Sequence, residues 1–266
     1  MAKAKRHRVF GVLAVVGALA LAGAPAYAGG PQAPKPAALT CSGGEIGSGT
    51  YASINVTGPC SVANGAVIKV VGNINVRPGA MLDAQSVPST ISVGRNVTSA
   101  TGSLVGLGCQ PTSLTGNSAH ACLEPFEEEH STIAVGGNIS LTDVSVVALN
   151  GLTVGGNITV NGGGSADIPW SIKNNKIAGN VTLSGQSTNW IGVLFNKVGK
   201  NVTLSNIAIN DPDGSGNGAY VGTNVIARNL TCTGVTPKIS GGFGPNQATN
   251  TVGRNANGQC AALAKP

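Results

Sequence analysis

Short segments of alternating apolar and polar residues, each preceded by a turn rich in Gly and Asn, recur along most of the chain. Apolar residues occupy the first and third positions after the turn asparagine and a polar residue stands between them, as in Asn180-Val181-Thr182-Leu183. An alternation with a period of two predicts a β-strand with one buried face. The turn asparagines are Asn73, Asn96, Asn138, Asn157, Asn180, Asn201 and Asn224.

The spacing of these asparagines predicts a repeat architecture. Successive members are separated by 23, 42, 19, 23, 21 and 23 residues, and 42 is two periods of 21. A unit of about 21 residues cannot bury its own apolar face, so successive units must stack on one another. Asn and Gly both tolerate the left-handed backbone of a sharp corner. The pattern therefore predicts an all-β parallel β-solenoid of about seven to nine coils.

The first 28 residues have the features of a secretory signal peptide. Four Lys and Arg residues within positions 3–8 precede the apolar run Val9–Gly23, and Ala26-Tyr27-Ala28 supplies the small residues of a cleavage site. We expect cleavage before Gly29 and no membrane span in the mature protein. Residues 29–40 are rich in Pro and form an expected flexible lead-in, and 41–266 form a single β-helix domain.

Composition and charge narrow the functional classes. Only 10% of the 266 residues are charged and 41% are hydrophobic, which excludes a disordered chain. The formal net charge of +6 falls to 12 − 10 = +2 when the four cations of the leader are removed. We therefore expect no nucleic-acid partner.

Six cysteines in an exported chain favour disulfides. Fifteen pairings are possible, and proximity along the chain favours Cys41–Cys60, Cys109–Cys122 and Cys232–Cys260.

The repeat fits poorly around Asn117, where Ser118 and His120 take the places of the apolar residues. We interpret 105–132 as an excursion from the coil that a disulfide closes.

The Val-Gly-x-Asn-Val-Thr-Leu coils resemble those of secreted bacterial right-handed parallel β-helix repeat proteins, in the pectate-lyase-like superfamily. The segment Asn250–Cys260 looks like the carboxy-terminal cap of uncharacterised members of that group. The resemblance implies a right-handed β-helix, but its members include lyases, hydrolases and non-catalytic scaffolds. The Asn-Thr-Asp, Asp-Asp and Gly-His-Gly motifs of pectinase-type hydrolases are absent from this sequence.

One outward column suggests a ligand-binding face. Lys176, Lys197 and Tyr220 stand four residues before successive turn asparagines, and Trp170 and Trp190 stand ten and eleven before theirs. Aromatic rings beside cations suit an anionic polysaccharide, because rings stack on sugar faces and lysines attract carboxylates or sulfates. The alternative is that the tryptophans cover the coil stack and the lysines only increase solubility.

A second column carries hydroxyl and amide groups at the second and fourth positions after the asparagine. A Thr-rich lattice is typical of ice-binding solenoids, whereas Thr is also simply a favourable residue on an exposed strand. The members are Ser140, Thr142, Thr159, Asn161, Thr182, Ser184, Thr203 and Ser205.

Two further segments could bind a metal. Asp211, Asp213 and Ser215 match the first ligand positions of a calcium loop, but the bidentate acid expected at position 222 is Gly, so an ordinary turn is the alternative. Calcium is the one cofactor that the sequence suggests. The second segment, residues 120–130, could bind a metal or take part in acid–base catalysis, although a run of like charges usually marks a solvated loop. It contains His120, Glu124, Glu127, Glu128, Glu129 and His130.

These observations favour a secreted, non-catalytic, extracellular or cell-envelope scaffold, expected to be monomeric, that binds a polysaccharide or another envelope component. The main alternative is a polysaccharide lyase or glycoside hydrolase acting on an acidic polysaccharide, with Lys197 or Lys200 as a base. The catalytic residues of such an enzyme are not indicated by the sequence. An ice-binding protein that uses the Thr/Ser face is the second alternative.

Overall fold

The computed structural model describes residues 35–165, 170–210, 218–242 and 248–265, and these residues form three parallel β-sheets. Strands are numbered in chain order. Sheet A has 11 strands: β1 (Leu39–Cys41), β4 (Ile54–Val56), β7 (Ile74–Val76), β10 (Val97–Ser99), β13 (Ile139–Thr142), β16 (Ile158–Asn161), β19 (Val181–Ser184), β20 (Ser187–Thr188), β23 (Val202–Ile209), β26 (Leu230–Thr236) and β28 (Ala256–Gly258).

The other two sheets complete each coil. Sheet B has eight strands: β2 (Gly44–Ile46), β5 (Pro59–Val62), β8 (Met81–Ala84), β11 (Leu104–Leu107), β14 (Val146–Asn150), β17 (Trp170–Lys173), β21 (Ile191–Leu194) and β24 (Ala219–Gly222). Sheet C has nine: β3 (Gly49–Tyr51), β6 (Val67–Val70), β9 (Thr90–Val93), β12 (Thr132–Val135), β15 (Leu152–Val154), β18 (Lys176–Ile177), β22 (Lys197–Val198), β25 (Val225–Ile226) and β27 (Thr251–Val252).

The chain visits sheets A, B and C in turn, and each strand pairs in parallel with its equivalents in neighbouring coils. Val181 is opposite Val202 and Leu183 is opposite Leu204, and all four are at most 1% exposed. Burying one such Val or Leu side chain stabilises the fold by about 1.5–3 kcal/mol. The apolar positions thus stack into a continuous core, and the prediction of an all-β parallel β-helix is confirmed.

Two ladders of asparagine side chains hold the corners of the coil. At the corner from sheet C to sheet A, each amide oxygen accepts the backbone N–H of the next asparagine, as Asn180 Oδ1 does from Asn201 N at 3.1 Å. At the corner from sheet B to sheet C, a fully buried ladder contains Asn175, Asn196, Asn224 and Asn250.

The position of Asn224 in this second ladder corrects the sequence-based assignment. The first ladder continues from Asn201 to Asn229, 28 residues later, and then to Asn255. The fixed period was wrong here because this coil is longer than the three coils directly before it, which span 19, 23 and 21 residues.

An excursion between sheets B and C covers residues 108–131, slightly less than the sequence indicated. It contains one short helix, α1 (Thr112–Thr115), and is closed by the Cys109–Cys122 disulfide. Its residues return to the coil through bonds such as Leu123 N to Ser86 O at 2.8 Å. The excursion therefore lies against the strands of sheet B.

Disulfides also join Cys41 to Cys60 and Cys232 to Cys260, so the three bridges are those that proximity favoured. Such bridges are typical of proteins in an oxidising compartment.

The last coil is covered by a 3₁₀-helix, Ala261–Leu263, whose Leu263 is 4% exposed. Among the residues that the structure describes, no helix is long and apolar enough to span a membrane.

Candidate polysaccharide-binding surfaces

The structure separates the residues of the expected binding face into three groups. Trp170 is only 2% exposed and its Nε1 donates a hydrogen bond to Ser145 O at 2.9 Å. Its partner in the next coil is Ile191, not Trp190. The expectation that Trp170 stands beside Trp190 on an exposed face is therefore wrong, because a shift of one residue turns a side chain to the opposite face of the sheet.

Trp190 and Tyr220 do lie together on the outer side of sheet B. Their ring centroids are 5.5 Å apart and their planes are tilted by 39°. Lys173 Nζ is 5.5 Å from the centroid of the Trp190 ring, within the range of a cation–π contact. Both rings are half-buried. We call Lys173, Trp190 and Tyr220 the aromatic platform.

A small residue makes room for the Trp190 ring. Gly192 is adjacent to Tyr220 in the sheet, and a Cβ on Gly192 would clash with the Cη2 and Cζ3 atoms of the indole. The indole therefore rests against the backbone of its own strand. Packing in this position limits the freedom of the ring before any ligand binds, which lowers the entropic cost of binding.

The excursion supplies the other border of the aromatic platform. Lys173 Nζ donates a hydrogen bond to Ser118 O at 3.5 Å. The amides of Asn117 and Asn174 bond reciprocally, at 2.6 Å from Asn117 Nδ2 to Asn174 Oδ1 and at 3.2 Å in the other direction. Asn174 has a φ of 56°, a left-handed conformation that Asn tolerates. These bonds fix the excursion beside the cation.

Three titratable groups influence one another at this border. Burial lowers the pKa of the His120 imidazole, the Lys173 cation lowers it further, and the Asp83 carboxylate acts in the opposite direction. Burial also lowers the pKa of Lys173. Asp83 accepts bonds from Gln85 N, Ser86 N and Ser86 Oγ, which hold its carboxylate in one orientation.

Lys176 and Lys197 lie on a different face. They are exposed, directly opposite each other in sheet C, and border a groove of about 270 Å³. The next residue in their column is Val225, so the expected continuation to Tyr220 is wrong. Tyr220 belongs to sheet B because the longer coil shifts the register.

The polar column of sheet A has the predicted register. Ser140 is opposite Thr159, which is opposite Thr182, and Thr182 is opposite Thr203. The parallel row contains Thr142, Asn161, Ser184 and Ser205 in the same coils. The first row extends beyond the predicted limits to Thr98, Thr231 and Asn257.

The structure gives no support to the two candidate metal-binding segments. Asp211, Asp213 and Ser215 lie outside the described residues. Within the described ranges, no group of three His, Cys, Asp or Glu side chains could hold a metal ion. The other acidic and histidine residues of the excursion are exposed: Glu124, Glu127, Glu128, Glu129 and His130.

Sequence reasoning missed Lys173, Asp83 and the Asn117–Asn174 pair. Lys173 directly precedes Asn174-Asn175, so its closeness to the corner could have been noticed. Its contact with the excursion depends on a non-local approach of two segments, for which the repeat contains no signal.

No known protein family, characterised protein or solved structure gives a match to this chain.

Proposed function

We propose that the protein is a secreted, non-catalytic β-helix scaffold that binds a polysaccharide through the aromatic platform. The observation that carries this proposal is the placement of Lys173 and Tyr220 on strands β17 and β24 of sheet B, with Trp190 directly before β21 between them. Aromatic faces contact the apolar faces of sugar rings, and an amine bonds to their hydroxyl or acidic groups. Sites on sheet strands also keep their geometry better than sites on loops.

The cellular context is part of the same proposal. A basic leader, an apolar run and a small-residue cleavage site agree with export, and three disulfides agree with an oxidising compartment. We accordingly place the protein outside the cell or in its envelope, as a monomer among the secreted bacterial parallel β-helix proteins.

The test is binding of the purified protein to a glycan array, with and without calcium, followed by analysis of the glycans for cleavage products. We expect binding without products, and at least a tenfold loss of affinity in Trp190→Ala because that substitution removes the larger ring. Tyr51→Ala is the matched control, since Tyr51 is also half-buried but lies at the other end of the helix on sheet C. Thermal melts of both variants establish that they fold.

Two results would contradict this proposal and favour another function. Cleavage products that disappear in His120→Gln would indicate the lyase or hydrolase alternative, because His120 and Asp83 are titratable groups close to Lys173 of the platform. No binding and no cleavage on any glycan would leave a scaffold without a carbohydrate ligand.

The outer side of sheet A supports a second candidate function, ice binding. Its two rows of hydroxyl and amide groups repeat once per coil, about 4.8 Å apart. We expect thermal hysteresis if this face binds ice and its loss in Thr182→Lys, which places a long charged side chain between Thr159 and Thr203. A wild-type protein without thermal hysteresis would exclude this function.

A further inference from the structure

Cations occupy one corner of the last coils, away from the aromatic platform. Lys200, Arg228 and Arg254 take the position directly before the ladder asparagine, at the turn from sheet C to sheet A. Arg228 N donates to Lys200 O and Arg254 N donates to Arg228 O, each at 3.0 Å, so the three residues stand on successive coils. All three are exposed. With neighbouring coils about 4.8 Å apart, the three side chains start at points that span about 10 Å.

From Gly72 to Gly179 this corner position is glycine in every coil except at Arg95. In three middle coils it is Gly137, Gly156 or Gly179, where a Cβ would clash with the Oδ1 atom of the ladder asparagine in the preceding coil. Long cations at the same corner of three consecutive later coils therefore occur where packing alone prefers no side chain.

The corner lies directly beyond the groove on sheet C, since Lys200 follows Gly199 in the chain. Gly155, Ala178 and Gly199 line the groove, and Lys176 and Lys197 border it. Small residues continue along the same line at Ala227 and Gly253, directly before Arg228 and Arg254. The line of small residues thus runs parallel to the axis of the β-helix and continues beyond the groove, with Lys176 and Lys197 before it in the chain and Lys200, Arg228 and Arg254 after it. We call Lys176, Lys197, Lys200, Arg228 and Arg254, with this floor, the basic groove.

The cations of the basic groove have no acidic partner among the residues that the structure describes. No ion pair involves any of the five, in the part of the chain that the structure describes. Lys176 and Lys197 are directly opposite each other in the sheet, an arrangement of like charges that destabilises a sheet. The acidic residues of the described part lie on sheet B, at the corner after β13 or in the excursion: Glu45, Asp83, Asp143, Glu124, Glu127, Glu128 and Glu129.

We propose that the basic groove binds a linear anionic polysaccharide whose chain runs along the helix axis. Sugar rings would lie on the floor of small residues, and their carboxylate or sulfate groups would meet cations on both sides. Arg and Lys on opposite sides suit this role because Arg binds such groups in a bidentate manner and Lys as a point charge. The described groove contains no aromatic residue, whereas proteins that bind single-stranded nucleic acids stack bases on aromatic rings. A polysaccharide is therefore favoured over a nucleic acid.

Heparin is the probe, and calorimetry at low and at physiological salt measures its affinity. We expect the triple variant Lys200→Gln, Arg228→Gln and Arg254→Gln to lose at least tenfold in affinity and to show a weaker salt dependence. The matched control removes three cations from earlier coils, by Lys69→Gln, Arg77→Gln and Arg95→Gln.

This control has the same change in net charge, and Arg95 stands at the same kind of corner. An equal loss of affinity in both triple variants would overturn the proposal, because net charge alone would then explain binding. Equal binding of neutral dextran would overturn it as well. Binding of poly(dT) as tight as that of heparin, lost in the same groove variant, would replace the polysaccharide by a nucleic acid.

A single substitution separates binding from packing. Lys197→Gln removes the repulsion with Lys176, so we expect the melting temperature of the free protein to rise while heparin affinity falls. Unchanged heparin affinity in Lys197→Gln would contradict the proposal whatever the melting temperature does. Trp190→Ala lies on sheet B and should keep full heparin affinity, so failure at the basic groove and failure at the aromatic platform are distinguishable.

Discussion

The buried asparagine ladder should contribute more to stability than the half-buried one, and Asn196→Ala tests this directly. Asn196 Nδ2 donates to Ile172 O at 2.8 Å and to Asn224 Oδ1 at 3.0 Å. Asn196 Oδ1 accepts from the N and the Nδ2 of Asn175, each at 3.0 Å. The side chain is 1% exposed, so water cannot easily replace these four bonds after truncation.

The expected loss follows from these bonds. The four hydrogen bonds contribute roughly 1 kcal/mol each, and an orphaned buried donor such as Asn175 N–H costs about 1–3 kcal/mol more, so we expect a total of about 5–7 kcal/mol. That loss is a large part of the roughly 5–15 kcal/mol by which a typical domain is stable. Asn201→Ala removes three side-chain bonds of the half-buried ladder, one to Asn180 and two from Asn229, where water can enter, and should cost only about 1 kcal/mol.

Urea unfolding followed by circular dichroism measures both variants, since the midpoint moves with stability when the slope is unchanged. Equal shifts for Asn196→Ala and Asn201→Ala would refute the reasoning, because burial would then not decide the strength of a ladder. A shift below about 1 kcal/mol for Asn196→Ala would show that the coil stack does not depend on these amides.

Three further predictions concern the core, pH and disulfides. Val181→Asp should unfold the coil stack because it buries an unpaired charge at a fully buried position, and a melting curve records the loss. Stability should fall as pH drops below about 6.5, because the lowered pKa of His120 means that the unfolded chain binds the proton more readily, and His120→Gln should flatten this dependence. Replacing Cys232 and Cys260 by Ala should cost about 2–5 kcal/mol in urea unfolding, since the bridge closes a long loop.

Matched controls make these predictions specific. Thr182→Asp places the same charge on the outer side of β19 and should melt close to the wild type. His130→Gln alters an exposed histidine of the same excursion and is the matched control for His120→Gln. A normal melt for Val181→Asp, identical pH profiles for wild type and His120→Gln, or an unchanged urea midpoint without the Cys232–Cys260 bridge would each contradict the corresponding argument.

The sequence was sufficient for the architecture because each coil repeats the same local chemistry. Val181 and Leu183 reveal the inward face by alternation, and the asparagine before them marks the corner. The period fails at Asn224 because a longer coil brings the asparagine of the second ladder near the expected position of the first. Asn224 is followed by the apolar pair Val225-Ile226, which resembles the strands after the first ladder although Val225 is exposed, so spacing alone could not distinguish the ladders at this coil.

The candidate surfaces were predicted less well, for two physical reasons. An error of one residue places Trp170 on the outside although it packs in the core, because neighbouring residues of a strand face opposite sides. His120 and Lys173 come together only when the excursion folds back on sheet B, a non-local event without a repeat signal. The cations at the corner of the basic groove, in contrast, could have been predicted from the sequence, since Lys200, Arg228 and Arg254 each directly precede an asparagine.

Quenching of tryptophan fluorescence by iodide tests the central claim most directly, because the chain has only two tryptophans and they differ in exposure. Trp170 is 2% exposed and should be protected at all times, whereas Trp190 on the aromatic platform is half-buried and should be quenched. The account predicts that a polysaccharide that still binds the triple variant Lys200→Gln, Arg228→Gln and Arg254→Gln abolishes the quenchable component of that variant at saturation. Full occupancy of that variant by a polysaccharide while Trp190 stays equally quenchable would contradict it.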